Sequence, residues 1–184
     1  PHRANVFLAC KTTERSADGA RRELDRSLRR LRTDHFDLYQ LHALTSVAED
    51  VDRAFAPGGA MEVVKQARDK GQIRHIGFST HNEDAAFMML DRFPFETVLF
   101  PVNFACWLQG HFGLKLHRRA TELGIGILAI KSLCQRPLAE GEERPWRKCW
   151  YVPLDDPHKA EKAFRFTLSR PVTAAVSPGH VELL

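Results

Sequence analysis

Short runs rich in Val, Ile, Leu and Phe alternate along this chain with longer stretches in which apolar residues recur at helical spacing, and turn residues mark most of the joins. The apolar runs predict six strands, over residues 6–11, 36–42, 73–79, 97–103, 125–132 and 172–177. Between them, Ser16 stands where it can cap a helix whose apolar stripe is Ala20, Leu24, Leu28 and Leu31. Asn82 can cap a second, with Glu83 and Asp84 in its positive first turn and Ala86, Met89, Leu90 and Phe93 as its stripe. Asp156 followed by Pro157 starts a third, with Ala160, Ala163, Phe164, Thr167 and Leu168 directed inward. Gly71 and Gly124 fall where helices give way to strands, a place that favours a left-handed residue.

Strands joined through helices run parallel, because a helical crossover returns the chain in the same direction. Six such units suit an open doubly wound sheet or most of a closed eight-stranded barrel, and periodicity does not choose between them. No G-x-G-x-x-G follows the first strand, so the dinucleotide fingerprint of the open sheet is missing and a barrel is favoured.

Barrel enzymes place their chemistry at the C-terminal ends of their strands. Alternation along the first strand sets Phe7, Ala9 and Lys11 on one face, and along the second it sets Phe36, Leu38, Gln40 and His42 on one face. Lys11 and His42 therefore converge if both faces line the barrel. Ser79 and Asn103 end the third and fourth strands in the same way, and Lys131 with Ser132 ends the fifth. Any one of these residues alone fits a solvated lysine or a histidine bonded to a loop carbonyl; together they outline a site.

Composition narrows the choice further. The 184 residues suffice for one domain, and no apolar run approaches the roughly 20 residues that span a bilayer. Neither a membrane nor a nucleic acid is an expected partner, since Glu23 and Asp25 interrupt the arginine run of residues 21–32, which reads as a solvated helix face. Cys10, Cys106, Cys134 and Cys149 form no C-x-x-C pair, which argues for a reducing, cytoplasmic setting and against a disulfide framework. Nine histidines are present, but neither H-x-H nor H-E-x-x-H occurs, so no metal site is expected.

The segments VFLACKT (6–12), FDLYQLHAL (36–44), IRHIGFSTHN (73–82), PVNF (101–104), GILAIKSL (126–133) and VTAAVSPG (172–179) closely resemble the aldo/keto reductases, in that family's order and spacing. The resemblance implies an α/β fold, the (β/α)8 TIM barrel, and NADPH-dependent reduction of aldehydes or ketones by a catalytic Asp, Tyr, Lys and His. Lys11 matches the Lys and His42 the His. By the same resemblance Ser79 and Asn103 would hold the nicotinamide amide, Lys131 and Ser132 would line the cofactor path, and Pro178 with Gly179 would approach the cofactor phosphates.

The resemblance also places the first strand here at the family's third. The expectation is a single domain over 1–184, incomplete, without the first two βα units that carry Asp and Tyr and without a closing C-terminal helix. The opening Pro1-His2-Arg3 has no initiating Met or signal pattern, which agrees. Such a chain alone should have little reductase activity, and open barrel edges would favour self-association. Tyr39 has the opposite strand parity to His42 and should face the helices. Tyr151 falls in residues 134–155, expected as a long loop that also carries Trp146 and Trp150. A non-catalytic NADPH-binding subunit or sensor of the same fold is the alternative.

Overall fold

The computed structural model describes residues 2–183 in two compact units, one ending at Val98 and the other starting at Leu99. The first is built on three parallel strands, β1 (Ala9–Thr12), β2 (Phe36–Leu44) and β3 (Ile73–Thr80). Cys10 lies beside Tyr39 and Tyr39 beside Ile76, while Lys11 lies beside Gln40 and Gln40 beside Gly77. Side chains alternate across a strand, so Cys10, Thr12, Tyr39, Leu41, Ile76 and Phe78 share one face. Lys11, Leu38, Gln40, Gly77 and, continuing the alternation, His42 and Ser79 share the other.

The first of these faces carries the helices. Helix α1 (Ala17–Leu31) starts where Ser16 Oγ accepts from Gly19 N at 3.2 Å, and it buries Ala20, Leu24 and Leu28. Burial of each leucine is worth ~2 kcal/mol, and Thr12 adds a hydrogen bond to Glu23 at 2.9 Å. A wide helical turn, Val47–Asp52, leads through α2 (Arg53–Phe55) to α3 (Ala60–Asp69), whose Met61, Val63, Val64 and Ala67 are buried. Helix α4 (Glu83–Arg92) is capped by Asn82, whose Oδ1 accepts from Ala85 N at 2.9 Å.

Strand β4 (Thr97–Pro101) carries the chain into the second unit, where α5 (Phe104–Leu108), α6 (Leu114–Glu122), β5 (Gly126–Ile130), β6 (Cys134–Pro137), β7 (Tyr151–Pro153), α7 (Pro157–Leu168) and β8 (Ala174–Ala175) follow. Strand β8 runs parallel to β5, with Leu128 beside Ala174. Asp156 caps α7 by accepting from Lys159 N at 2.9 Å, and Thr167 ties the helix down by donating to the Val102 carbonyl at 2.8 Å. Gly71 and Gly124 both take positive φ, 72° and 67°, as their positions after helices require.

Several elements differ from the sequence reading. The first strand starts at Ala9 because the preceding ladder donor, Leu8 N, is taken by the Asp37 carboxylate at 2.8 Å, leaving Val6 and Phe7 exposed. The fifth ends at Ile130 because Lys131 adopts φ 62°, and the fourth ends at Pro101, ahead of Asn103, which caps α5. The last is confined to Ala174–Ala175, although Thr173 N and Val176 N still bond to β5 carbonyls. Leu31, Phe164 and Leu168, expected inward, are 53%, 39% and 52% exposed.

Residues 134–155 are not a plain loop either. Strands β6 and β7 pair antiparallel over a cluster of Cys134, Cys149 and Tyr151, against which Trp146 and Leu183 pack. Glu142 steadies the intervening turn by accepting from both Arg136 Nη atoms, at 2.7 and 2.8 Å, which holds its carboxyl down at about 2. Among the described residues no helix is long and apolar enough to cross a membrane, and no group of three or more His, Cys, Asp or Glu is arranged to hold a metal.

Candidate functional site

Lys11, His42 and Ser79 are brought together in the first unit, on one face at the C-terminal ends of β1, β2 and β3. His42 Nδ1 lies 2.6 Å from Ser79 Oγ, and the same oxygen accepts from Ala43 N at 3.0 Å. Burial pushes the His42 imidazole below the usual histidine range, and the nearby charges of Lys11 and Arg15 push it the same way. Partial burial also lowers the Lys11 ammonium, which forms no ion pair among the described residues. Beneath them Gln40, 1% exposed, donates to the Phe78 carbonyl at 3.4 Å.

Arg15 was not singled out from the sequence, yet it organises this corner. Its side chain is 9% exposed; Nη2 donates to the His42 carbonyl at 2.7 Å, Nη1 to the Thr13 carbonyl at 2.9 Å, and Nε to Asp50 Oδ1 at 2.9 Å. Asp50 Oδ2 in turn accepts from Thr45 N, Thr45 Oγ1 and Ser46 N at 2.7, 3.1 and 2.9 Å. The turn after β1 and the turn after β2 are thus locked to each other. The available signal was a cation just after a strand end in one turn and an acidic residue just after a strand end in another, a pair that only tertiary structure joins.

In the second unit, Asn103 is fully buried: its Oδ1 accepts from Cys106 N at 2.8 Å, and its side-chain amide also acts on the Cys106 thiol, though Nδ2 completes no full hydrogen bond among the described residues. Ser132 Oγ is likewise buried without a partner. Lys131 is close enough to Cys106 and Cys134 to act on both thiols, and its Nζ stands 6.0 Å from the centre of the Tyr151 ring. Burial still dominates those thiols, raising Cys134 to about 11. Ser132 and Pro178 line a cavity of about 380 Å³ whose other walls are mainly apolar but include Asp155, Glu161 and Glu182. Gly179 lies against Lys148: a Cβ there would come within 3.3 Å of that side chain.

The two tyrosines stand elsewhere. Tyr39 lies on the helix-bearing face, as its parity predicts, and is fully buried. Tyr151 lies against Cys149 in the second unit. Burial raises both phenols far above their ordinary range.

Parallel strands joined by helices, with polar side chains at their C-terminal ends, define an α/β protein, and sites of this kind occur in barrels. Solved structures agree on that fold. Aldo-keto reductase AKR11C1 from Bacillus halodurans in its holo form is 22% identical, with a TM-score of 0.67 over 96% of this chain and 64% of that one. An aldo/keto reductase from Brucella melitensis is 18% identical, with a TM-score of 0.58 over 72% of this chain and 49% of that one. An aldo/keto reductase from Klebsiella pneumoniae in complex with NADP and acetate is 20% identical, with a TM-score of 0.56 over 69% of this chain and 43% of that one. At such identities the likeness is one of fold, the (β/α)8 barrel, of which this chain supplies part; it spans 64% of the length of the Bacillus protein. No curated protein matches the chain. The model of the aldo/keto reductase family matches residues 1–150, and the chain belongs to that family.

Proposed function

We propose that this chain is the greater part of a cytoplasmic NADPH-dependent oxidoreductase that reduces aldehydes or ketones to alcohols, with Lys11 and His42 as its catalytic residues. The observation that carries the reading is the convergence of Lys11, His42 and Ser79 on one face at three adjacent strand ends. His42 has the properties of a group that meets a carbonyl oxygen, being held by hydrogen bonds and biased toward its neutral form. The lowered Lys11 ammonium would act on a neighbouring acid through its charge.

NADPH, when bound, supplies the hydride. The buried polar atoms of the second unit fit such a ligand: Asn103 Nδ2 offers an unused donor to the nicotinamide amide, and Ser132 Oγ with Lys131 offers polar contacts along the cofactor path. Gly179, with Lys148 against it, would offer a backbone N–H to the cofactor phosphates. The carboxylates of the cavity beside Pro178 are unsuited to phosphate, so we place the phosphates outside it. A complex of a Klebsiella pneumoniae aldo-keto reductase with NADPH supports the choice of cofactor.

Tyr39 stands on the face opposite His42, Tyr151 is buried against Cys149 within its own unit, and Lys11 has no acidic partner among the described residues. These observations favour little reductase activity for the 184-residue chain alone, and they keep a non-catalytic NADPH-binding subunit as the second reading. A fluorescence titration of the purified chain with NADPH tests both. Saturable binding, weakened at least tenfold by Asn103→Ala and little changed by Lys11→Met, is expected, with no aldehyde-dependent oxidation of NADPH. Absence of binding would remove the cofactor from both readings, and steady turnover would remove the second.

A further inference from the structure

Strand β2 keeps register with β3 from Leu38 to Leu41, opposite His75 to Phe78, and regains it with Leu44 opposite Thr80. Three steps along β2 thus match two along β3. His42 and Ala43 therefore both stand opposite Ser79, the arrangement of a β-bulge, a feature that often re-aims a side chain beside an active site. Ala43 absorbs the extra residue at φ 58°, a left-handed conformation that alanine keeps only when its surroundings hold it there.

One oxygen does much of that holding. Ser79 Oγ accepts the Ala43 N–H at 3.0 Å and lies 2.6 Å from His42 Nδ1, while Arg15 grips the His42 carbonyl at 2.7 Å. The contact between Oγ and Nδ1 can carry its proton on either atom. If Nδ1 bore it, Ser79 Oγ would accept twice, and the serine's own proton would need a third partner. Ser79 is 2% exposed, and its hydroxyl has no other hydrogen bond among the described residues, so that proton would be buried and unmet. If Oγ–H donates to a bare Nδ1, the amide, the hydroxyl and the ring nitrogen are all satisfied at once.

We propose that Ser79 is a positioning residue that fixes His42 as the neutral tautomer protonated at Nε2, so that the ring presents a hydrogen-bond donor at the end of the strand. The proposal rests on the reading of His42 as the group that meets a carbonyl, because a carbonyl oxygen can be met only by an N–H. It also limits what Ser79 offers a ligand. Its proton is committed to Nδ1 and one lone pair to Ala43, so the remaining lone pair accepts from an N–H, such as the amino end of a carboxamide.

The test is nitrogen-15 NMR of the histidine rings in the purified 184-residue chain at pH 7, with no cofactor added and His42 assigned by its loss in His42→Asn. Expected is a single form with Nε2 protonated and Nδ1 bare. In Ser79→Ala the ring should drift toward a mixture of both tautomers and its pKa should rise, since the hydroxyl that favours bare Nδ1 is gone; Ser79→Thr, which keeps the hydroxyl, should restore the wild-type pattern. A wild-type ring protonated at Nδ1 overturns the proposal without any variant. So does a Ser79→Ala chain that keeps one Nε2–H form and an unaltered pKa. Loss of NADPH binding with the pattern intact would count against the functional reading and leave the tautomer assignment standing.

Discussion

Ser79 and Ser132 are both buried at strand ends, at 2% and 1% exposure, yet the two units treat the hydroxyl in opposite ways. Ser79 Oγ is engaged with His42 and Ala43, and the corner around it is locked from the other side by Arg15 and Asp50. Ser132 Oγ has no partner among the described residues, and Asn103 Nδ2 shares that condition. A buried polar group left unpaired costs stability, so folds keep few of them without a use. The first unit holds its strand-end polar groups in a connected hydrogen-bond network. Buried atoms without a partner occur in the first unit too, Tyr39 Oη and Thr97 Oγ1 among them, but there the strand-end serine is engaged, whereas in the second unit Ser132 itself is left over.

The largest effect expected from this contrast follows loss of the latch. Arg15→Ala leaves the Asp50 carboxylate without its cation and frees the carbonyls of His42 and Thr13. Breaking so well buried a pair should cost ~3 kcal/mol, read as a lower urea midpoint with an unchanged slope. The two serines should then answer with opposite signs. Ser79→Ala strands the Ala43 N–H and should destabilise by ~2 kcal/mol, whereas Ser132→Ala removes an unmet hydroxyl and should stabilise the free chain by ~1 kcal/mol. If both serines destabilise alike, the contrast between the units is broken. NADPH sharpens it, because the advantage of Ser132→Ala should vanish at saturating cofactor if Ser132 meets the ligand.

The parts of this picture open to a reader of the sequence were those governed by local period. Alternation placed Lys11 with His42 and turned Tyr39 away, and the caps at Ser16, Asn82 and Asp156 form as their side chains require. The hidden parts depend on residues far apart in the chain. No turn residue marks the bulge, since Ala43 is held at φ 58° by a serine from another strand rather than by being glycine. Pairing of β6 with β7 comes from burying Cys134, Cys149 and Tyr151 together, a cluster that no 3.6- or 2-residue period announces. Asn103 looked like the end of a strand but caps α5, and nothing in its neighbours foretold that its Nδ2 would be left over.

The smallest effect expected is one of pH, and it sets a histidine of each unit side by side. Burial lowers both His42 and His117; Lys11 and Arg15 lower His42 further, while the Pro171 carbonyl, 3.1 Å from His117 Nε2, works against the shift there. In both cases the folded chain binds its proton less readily than the unfolded chain does, so the unfolded chain carries more protons once the pH approaches the ordinary histidine value of about 6.5. Stability is therefore full above that value and is lost as the pH falls through it, until the folded histidines also protonate. Asp37 and Asp50 are lowered instead, so their contributions persist until the pH falls below the usual carboxylate range and do not disturb this window. Urea midpoints at pH 7.5 and 5.5 should fall toward acid in the wild-type chain and fall less in both His42→Asn and His117→Asn. A drop that His117→Asn abolishes and His42→Asn leaves whole would mean that His42 is not held neutral by its surroundings, and the connected strand-end network of the first unit would lose its central residue.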